Sequence, residues 1–156
     1  MATDQEKTAR REGLWGMTVF GMTVGIWEMV EDSATAITPY IGNALLPMIE
    51  KQLGLEIAGE KPADIITEIG RLFVDEFGFA SEAKVSATDK AVTLVLKNAL
   101  GTKEGAGLVA MGVKKQFAHP VLCVGIGALT RAGVKCRGNM ELDVPNNSQI
   151  VTFDLL

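Results

Sequence analysis

After Gly78 the apolar residues change their spacing three times. SEAKVSATDKAVTLVLKNA, residues 81–99, reads as a hairpin: Val92, Leu94 and Leu96 alternate with Thr93, Val95 and Lys97, a period of two that puts one set on each face of a strand. The second face is only half polar, which predicts cover on both sides. HPVLCVGIGALTRAG, residues 119–133, opens on Pro120 and stops at Gly133, the usual punctuation of a helix. VKCRGNMELDVPNNSQIVTFDLL, residues 134–156, is a second hairpin turning at Pro145-Asn146-Asn147. Hairpin, helix, hairpin is an α+β order, in which an antiparallel sheet buries one face against helices. The fold expected is an N-terminal helical layer packed on an antiparallel sheet of two hairpins with a helix between them.

The residues ahead of Gly78 read as helices. Residues 1–12, MATDQEKTARRE, form a polar N-terminal tail, and residues 13–156 form a single α+β domain, as expected for 156 residues. The first helix is predicted from Gly13 to Val30. Residues 13–27 carry no charge, which predicts burial on most faces. Gly21 and Gly25 lie four apart and suit close approach of another helix, within the subunit in preference to a dimer seam. Glu28 is expected to face solvent at the helix end. Arg10 and Arg11 ahead of this run suggest a signal peptide, but Asp4 and Glu6 precede it and Glu28, Glu31 and Asp32 follow it. The run also falls short of the ~20 apolar residues a membrane span needs. Ser33 is the expected cap of a second helix carrying Ile37, Ile41, Leu45, Met48, Ile49 and Leu53, which Pro39 and Pro47 start, bend or break and Gly54 ends. After the loop 55–61, Pro62 opens the strongest amphipathic helix, with Ile65, Ile66, Ile69, Leu72, Phe73 and Phe77 on one stripe and Gly78 as its stop. LGTKEGAG, residues 100–107, is expected to be a flexible loop; it lacks the strand-to-helix context of a phosphate cradle. Residues 107–119 fit helix or strand.

Apolar residues make up 47% of the chain and the mean hydropathy is +0.22, so the surplus must fill a cavity, an interface or a membrane surface. A net charge of −4 argues against a general nucleic-acid footprint. Cys123 and Cys136 are the only cysteines; two at this spacing are no disulfide framework, which points to a cytoplasmic protein.

The chemistry-bearing residues are few. His119 is the only histidine, so any Cys-His or Ser-His pair must use it. Cys123 follows four residues later, but with Pro120 as the first helical residue His119 falls at the cap, and no third group orients the pair. The ordinary reading of His119 is a cap or surface residue. Cys123, in an apolar helix, reads as a small buried hydrophobe, with a pocket-lining thiol or acylation site as the functional alternative. The carboxylates, such as Glu28 with Glu31 and Asp32 or Asp75 with Glu76, show no spacing that separates an acid from a base.

EFGFASEAKV, VLKNA, HPVLCVGIGALTRAG and MELDVPNNSQIVTFDL together resemble the 4-vinyl-reductase, or predicted hydrocarbon-binding, domain family, itself related to the small subunits of the TRAPP tethering complex and to haem-NO-binding domains. The resemblance runs from about Ile41 to Leu156 and is to an order of elements: a helix ending in Gly-Phe, a strand ending near Asn, a cysteine-containing glycine-rich helix, and a closing hairpin with a Phe-centred strand. Where many members carry cysteines this chain has Ala99, Val144 and Thr152, so no metal site is predicted. The resemblance implies a pocket for a small apolar molecule between helices and sheet, and a homodimer. The candidate pocket-lining residues are Trp27, Phe73, Phe77, Phe79, Leu122, Cys123 and Ile126. The haem-NO-binding relation makes His119 a candidate axial ligand, but a lone histidine before a helix-opening proline disfavours haem, and no cofactor is predicted. The function expected is a non-catalytic sensor or carrier of a small hydrophobic ligand. The alternative is a dimeric assembly or scaffold protein without ligand. A reductase-like enzyme comes third, because no dinucleotide fingerprint is present.

Overall fold

A computed structural model describes residues 3–156. The two alternating segments form the predicted hairpins: β1 (Glu82–Ala87) with β2 (Ala91–Lys97), and β3 (Cys136–Asp143) with β4 (Ser148–Leu155). They join into one antiparallel sheet of order β1-β2-β4-β3. Leu94 stands opposite Val85 on one side and Val151 on the other. Because side chains alternate, this register gathers Val92, Leu94, Leu96, Val151, Phe153 and Met140 on one buried face. The other face, with Thr93, Val95, Ile150 and Thr152, is only partly buried, and the Thr93 and Thr152 hydroxyls meet across it at 3.4 Å.

The helix between the hairpins, α5 (Pro120–Arg131), is numbered after α1 (Asp4–Val30), α2 (Thr38–Leu53), α3 (Pro62–Arg71) and α4 (Thr102–Ala110). Every residue of α5 from Val121 to Leu129 is buried, because the sheet lies on one side and α2 on the other. Its glycines make that double contact possible. A Cβ at Gly125 would overlap the Phe153 ring, and one at Gly42 of α2 would overlap the Cys123 carbonyl. α3 completes the cover with Ile65, Ile66 and Ile69, while Arg71 on its outer side pairs with Glu68 at 2.7 Å. Beyond Arg71 the helix widens for one turn, Leu72–Glu76, where the Phe77 N–H donates to the Leu72 carbonyl at 3.0 Å; Gly78, at φ +58°, ends it.

Five expectations are overturned. α1 starts at Asp4 and not near Gly13, because Thr3 and Glu6 form a capping box: the Glu6 N–H donates to Thr3 Oγ1 at 3.2 Å and the Thr3 N–H to Glu6 Oε2 at 2.7 Å. α1 is also not buried on most faces. Only Thr23, Val24 and Trp27 are buried; Val24 and Trp27 join Ala34, Val113 and Phe117 in a small second core, where the Trp27 and Phe117 rings stack at 6.4 Å. No other described element reaches its outer face, and nothing lies within 4 Å of where side chains at Gly21 and Gly25 would stand. The glycine pair therefore serves no close packing within the subunit. Ser33 caps nothing: Glu31–Ile37 form a 3-10 turn, and α2 begins at Thr38, whose hydroxyl donates to the Phe117 carbonyl at 2.8 Å. Lastly, residues 102–107 are helical. Their glycines disfavour helix locally, but α4 packs on β3, where a Cβ at Gly105 would sit 2.8 Å from Leu142 Cδ1. Glu28 is exposed as expected, and Pro47 lies on the exposed side of α2 without ending it.

Candidate functional site

The inner side of α1 does not close on the domain. Between it and α4 lies an apolar cavity of about 540 Å³. Gly16, Met17, Val19, Phe20 and Thr23 of α1 roof it; Gly101, Glu104, Gly105 and Leu108 form one wall; Phe79 and residues 116 and 118–120 form the other. The helical period explains the roof: residues three and four apart share a face, so one side of α1 presents Gly16, Phe20 and Thr23 together. Glu104 is the one charged residue among these, and Thr23, Gln116 and His119 are the other polar side chains.

Behind Gly101 and Phe79, two of the lining residues, the chain is tied by hydrogen bonds. The Leu100 N–H donates to the Phe79 carbonyl at 2.7 Å, which ties the start of β1 to the end of β2. Gly101 follows at φ +84°, a conformation that costs glycine nothing, and opens α4. The Thr102 hydroxyl donates to the Ala99 carbonyl at 2.9 Å. Gln149, fully buried at the head of β4, donates through Nε2 to the Leu100 carbonyl at 3.0 Å and to Thr102 Oγ1 at 3.3 Å. Its Oε1 is buried without a partner, and so are both ring nitrogens of His119. A Cβ at Gly101 would lie 3.8 Å from His119 Nε2, from Gln149 Nε2 and from the Phe79 ring. His119 has the cap position expected, with extended backbone, but its side chain caps nothing. The ring turns inward instead, and meets Phe79 edge to face. Burial drives its pKa down to about 4, so the imidazole is neutral at pH 7, with one N–H and one lone pair.

The other candidates are dispersed. Phe79 lines this cavity and also a smaller apolar recess of about 250 Å³ that it shares with Phe73 and Phe77. Leu122 and Ile126 face a different, more polar hollow beside β3, together with Cys136. Trp27 packs into the second core. Cys123 is buried in α5, donates weakly from Sγ to the Phe117 carbonyl at 3.4 Å, and has its pKa pushed up to about 12 by burial. Sequence reasoning missed Gly101, Glu104, Leu108 and Gln116 as lining residues.

No protein-family model matches the chain, and no curated protein matches it. Among solved structures, the fold is similar to that of a trafficking protein particle complex subunit 3 from Naegleria fowleri, whose structure has palmitic acid covalently bound. The TM-score is 0.57 at 11% identity, over 92% of this chain and 93% of that one. At that identity the likeness is one of fold. The TRAPP side of the expected kinship is therefore a statement about architecture. Among the described residues no helix is long and apolar enough to cross a membrane.

Proposed function

We propose that this chain is a non-catalytic binding protein for a small apolar molecule, held between α1 and α4. The observation that carries this reading is the cavity: about 540 Å³, within the ~300–1,000 Å³ of ligand sites, with largely apolar walls in which Thr23, Glu104, Gln116 and His119 are the polar residues. Desolvation would supply the affinity, at about 25 cal/mol per Å² of apolar surface buried. A fold neighbour that carries palmitic acid is consistent with this. Covalent attachment is not part of the proposal, because Cys123 lies in the core with its thiol protonated and Cys136 lines a different hollow. A place in the hydrocarbon-binding, 4-vinyl-reductase family rests on the order of elements alone, and residence in the cytoplasm on the two free cysteines. The test is native mass spectrometry of the purified protein, then titration with an environment-sensitive apolar dye. One molecule bound per subunit, with competition between dye and medium-chain apolar compounds, is the expected result. Absence of any saturable apolar binding would end this reading.

A second reading is favoured by one further observation. The outer side of α1 exposes Leu14, Trp15, Met22 and Met29, and such a continuous apolar face marks an interaction surface. Assembly through this face, with a second copy as the first candidate, is compatible with ligand binding, since a partner there would hold the roof of the cavity in place.

A further inference from the structure

The sheet ends in an open strand edge. β3 pairs with β4 alone, and a hollow of about 610 Å³ lies beside residues 136–140, with Ser33, Thr35 and Ala36 on its far side. The hydrogen bonds fix which groups of β3 face outward. The Leu156 N–H donates to the Lys135 carbonyl at 2.9 Å, while the Leu155 N–H turns the other way, to the Lys90 carbonyl at 2.7 Å. Pairing alternates along an antiparallel ladder. Arg137, Asn139 and Glu141 therefore bond to β4, and the backbone groups of Cys136, Gly138, Met140 and Leu142 point away from it. Among the described residues no other segment's backbone meets them. Such a row is a template for another strand.

The side chains say which strand. Along the outer face, Lys135 and Arg137 come first, Asn139 is central, and Glu141 and Asp143 come last. Among the described residues none of these four charges is in an ion pair, although Asp154 stands opposite Arg137 in β4 and the Asp143 carboxylate accepts from Asn146 at 2.7 Å. The other edge strand, β1, differs: its Glu82 pairs with both Lys84 and Lys97.

We infer that β3 pairs edge to edge with β3 of a second copy, antiparallel about a two-fold axis at Asn139. In that register the outward backbone groups meet: Cys136 opposes Leu142 of the second copy, and Gly138 opposes its Met140. On the outer face Arg137 opposes Glu141, Lys135 opposes Asp143, and symmetry repeats each match. The neighbouring registers that still oppose outward groups keep one such charge pair in place of two. Parallel pairing in register would oppose like charges. A single strand pair is marginal in water, so this joint needs a higher protein concentration than assembly through the apolar face of α1. The inference does not depend on the ligand.

Two experiments on the full chain at several hundred micromolar test it. Opposed residues of a pair without mutual hydrogen bonds lie ~4.5 Å apart at Cα, within the ~4.4–6.8 Å that a disulfide spans. Asn139→Cys, oxidised with oxidised glutathione, is expected to give a dimer bridged from residue 139 to residue 139, and Glu141→Cys is not. In sedimentation velocity at low salt, Arg137→Glu and Glu141→Arg are each expected to lose an association step that the natural chain shows. An equal mixture of the two variants restores opposite charges at every match and is expected to recover the step, as is the chain carrying both changes. Absence of the 139–139 bridge overturns the inference, as does association that ignores the single variants or is not recovered by the mixture. The cross-link uses neither charge variant, so a folding defect in one of those would not protect the proposal.

Discussion

His119 and Phe79 meet edge to face, with ring centroids 5.6 Å apart and planes at 82°, and the contact holds an imidazole whose two nitrogens bond to nothing. The aromatic contact is favourable, but the nitrogens lose water on folding without replacement. Phenylalanine would keep the ring contact and remove the unmet demand. His119→Phe is therefore expected to raise the stability of the ligand-free protein by about 1 kcal/mol or more. Thermal and urea unfolding of the two proteins at pH 7.5 would measure it, and a lower midpoint for the variant would refute it.

The same residue predicts a pH dependence. In the unfolded chain a histidine takes its proton near pH 6.5, whereas in the fold burial holds protonation off to about pH 4. Between these values the unfolded state binds more protons, so stability rises with pH through that window. It is complete above pH 6.5 and lost, by up to about 3 kcal/mol, as pH falls to 4. Glu50 and Glu68, each held below the ordinary carboxylate range by an arginine hydrogen bond, add their loss below pH 4.5. His119→Phe should flatten the curve from pH 6.5 to 4.5 and leave the steeper acid limb in place.

The α2–α5 contact makes a sharper prediction. A methyl at Gly42 would overlap the Cys123 carbonyl, and one at Gly127 would stand 2.8 Å from the Gly42 carbonyl carbon. Both obstacles are backbone, which cannot step aside as a side chain can. Gly42→Ala is expected to cost more than about 3 kcal/mol, beyond ordinary overpacking, and to appear as loss of the cooperative transition. Gly13→Ala is the control. On α1 its nearest neighbour would be Met17 at 3.9 Å, so helix propensity alone acts and the change is neutral to slightly stabilising. Equal effects at the two glycines would show that the helices are not in contact as described.

Much of this fold was legible because local pattern and burial agree. The period of two in Val92, Leu94 and Leu96, the proline-to-glycine span of α5 and the stripe of α3 all mark surfaces that the subunit itself buries. Sequence reading failed where that agreement is missing. α1 is apolar yet exposed, since hydrophobicity reports that a face needs a partner and not whether the partner is in the same chain. α4 is rich in glycine yet helical, because its contact with Leu142 needs the missing side chain. The site failed for a further reason. Cavities form where elements fall short of one another, and no residue spacing records a gap. Aromatic residues were expected to line it; Phe79 does, but Trp27 fills core.

Thiol chemistry offers an independent check on the core. Cys123 is fully buried and its thiol is pushed up to about 12, so almost none of the reactive thiolate exists at pH 8. Cys136 is partly exposed, with its pKa raised less strongly by burial. Under native conditions a thiol reagent should modify one cysteine slowly, identified by peptide mapping as Cys136, and the second only in denaturant. Rapid labelling of Cys123, or its acylation in protein purified from cells, would mean that α5 opens to solvent and would reinstate a covalent mode of ligand attachment.

The outer face of α1 carries the last prediction. Trp15, Met22 and Met29 are spaced by seven and are 74%, 60% and 83% exposed. A seven-residue apolar repeat keeps one stripe facing a partner helix along its length, and Gly21 and Gly25 nearby leave room for close approach. The chain is expected to dimerise through this stripe, with a thermal midpoint that rises with protein concentration. Replacing Trp15 and Met22 by lysine places charges on the seam and should yield a monomer by sedimentation equilibrium. The variant should keep its far-ultraviolet dichroism and its dye binding, because neither residue lines the cavity. Trp15 fluorescence should shift to the blue as the natural chain associates. A natural chain that sediments as a monomer at tens of micromolar would remove the second copy as the partner of this face.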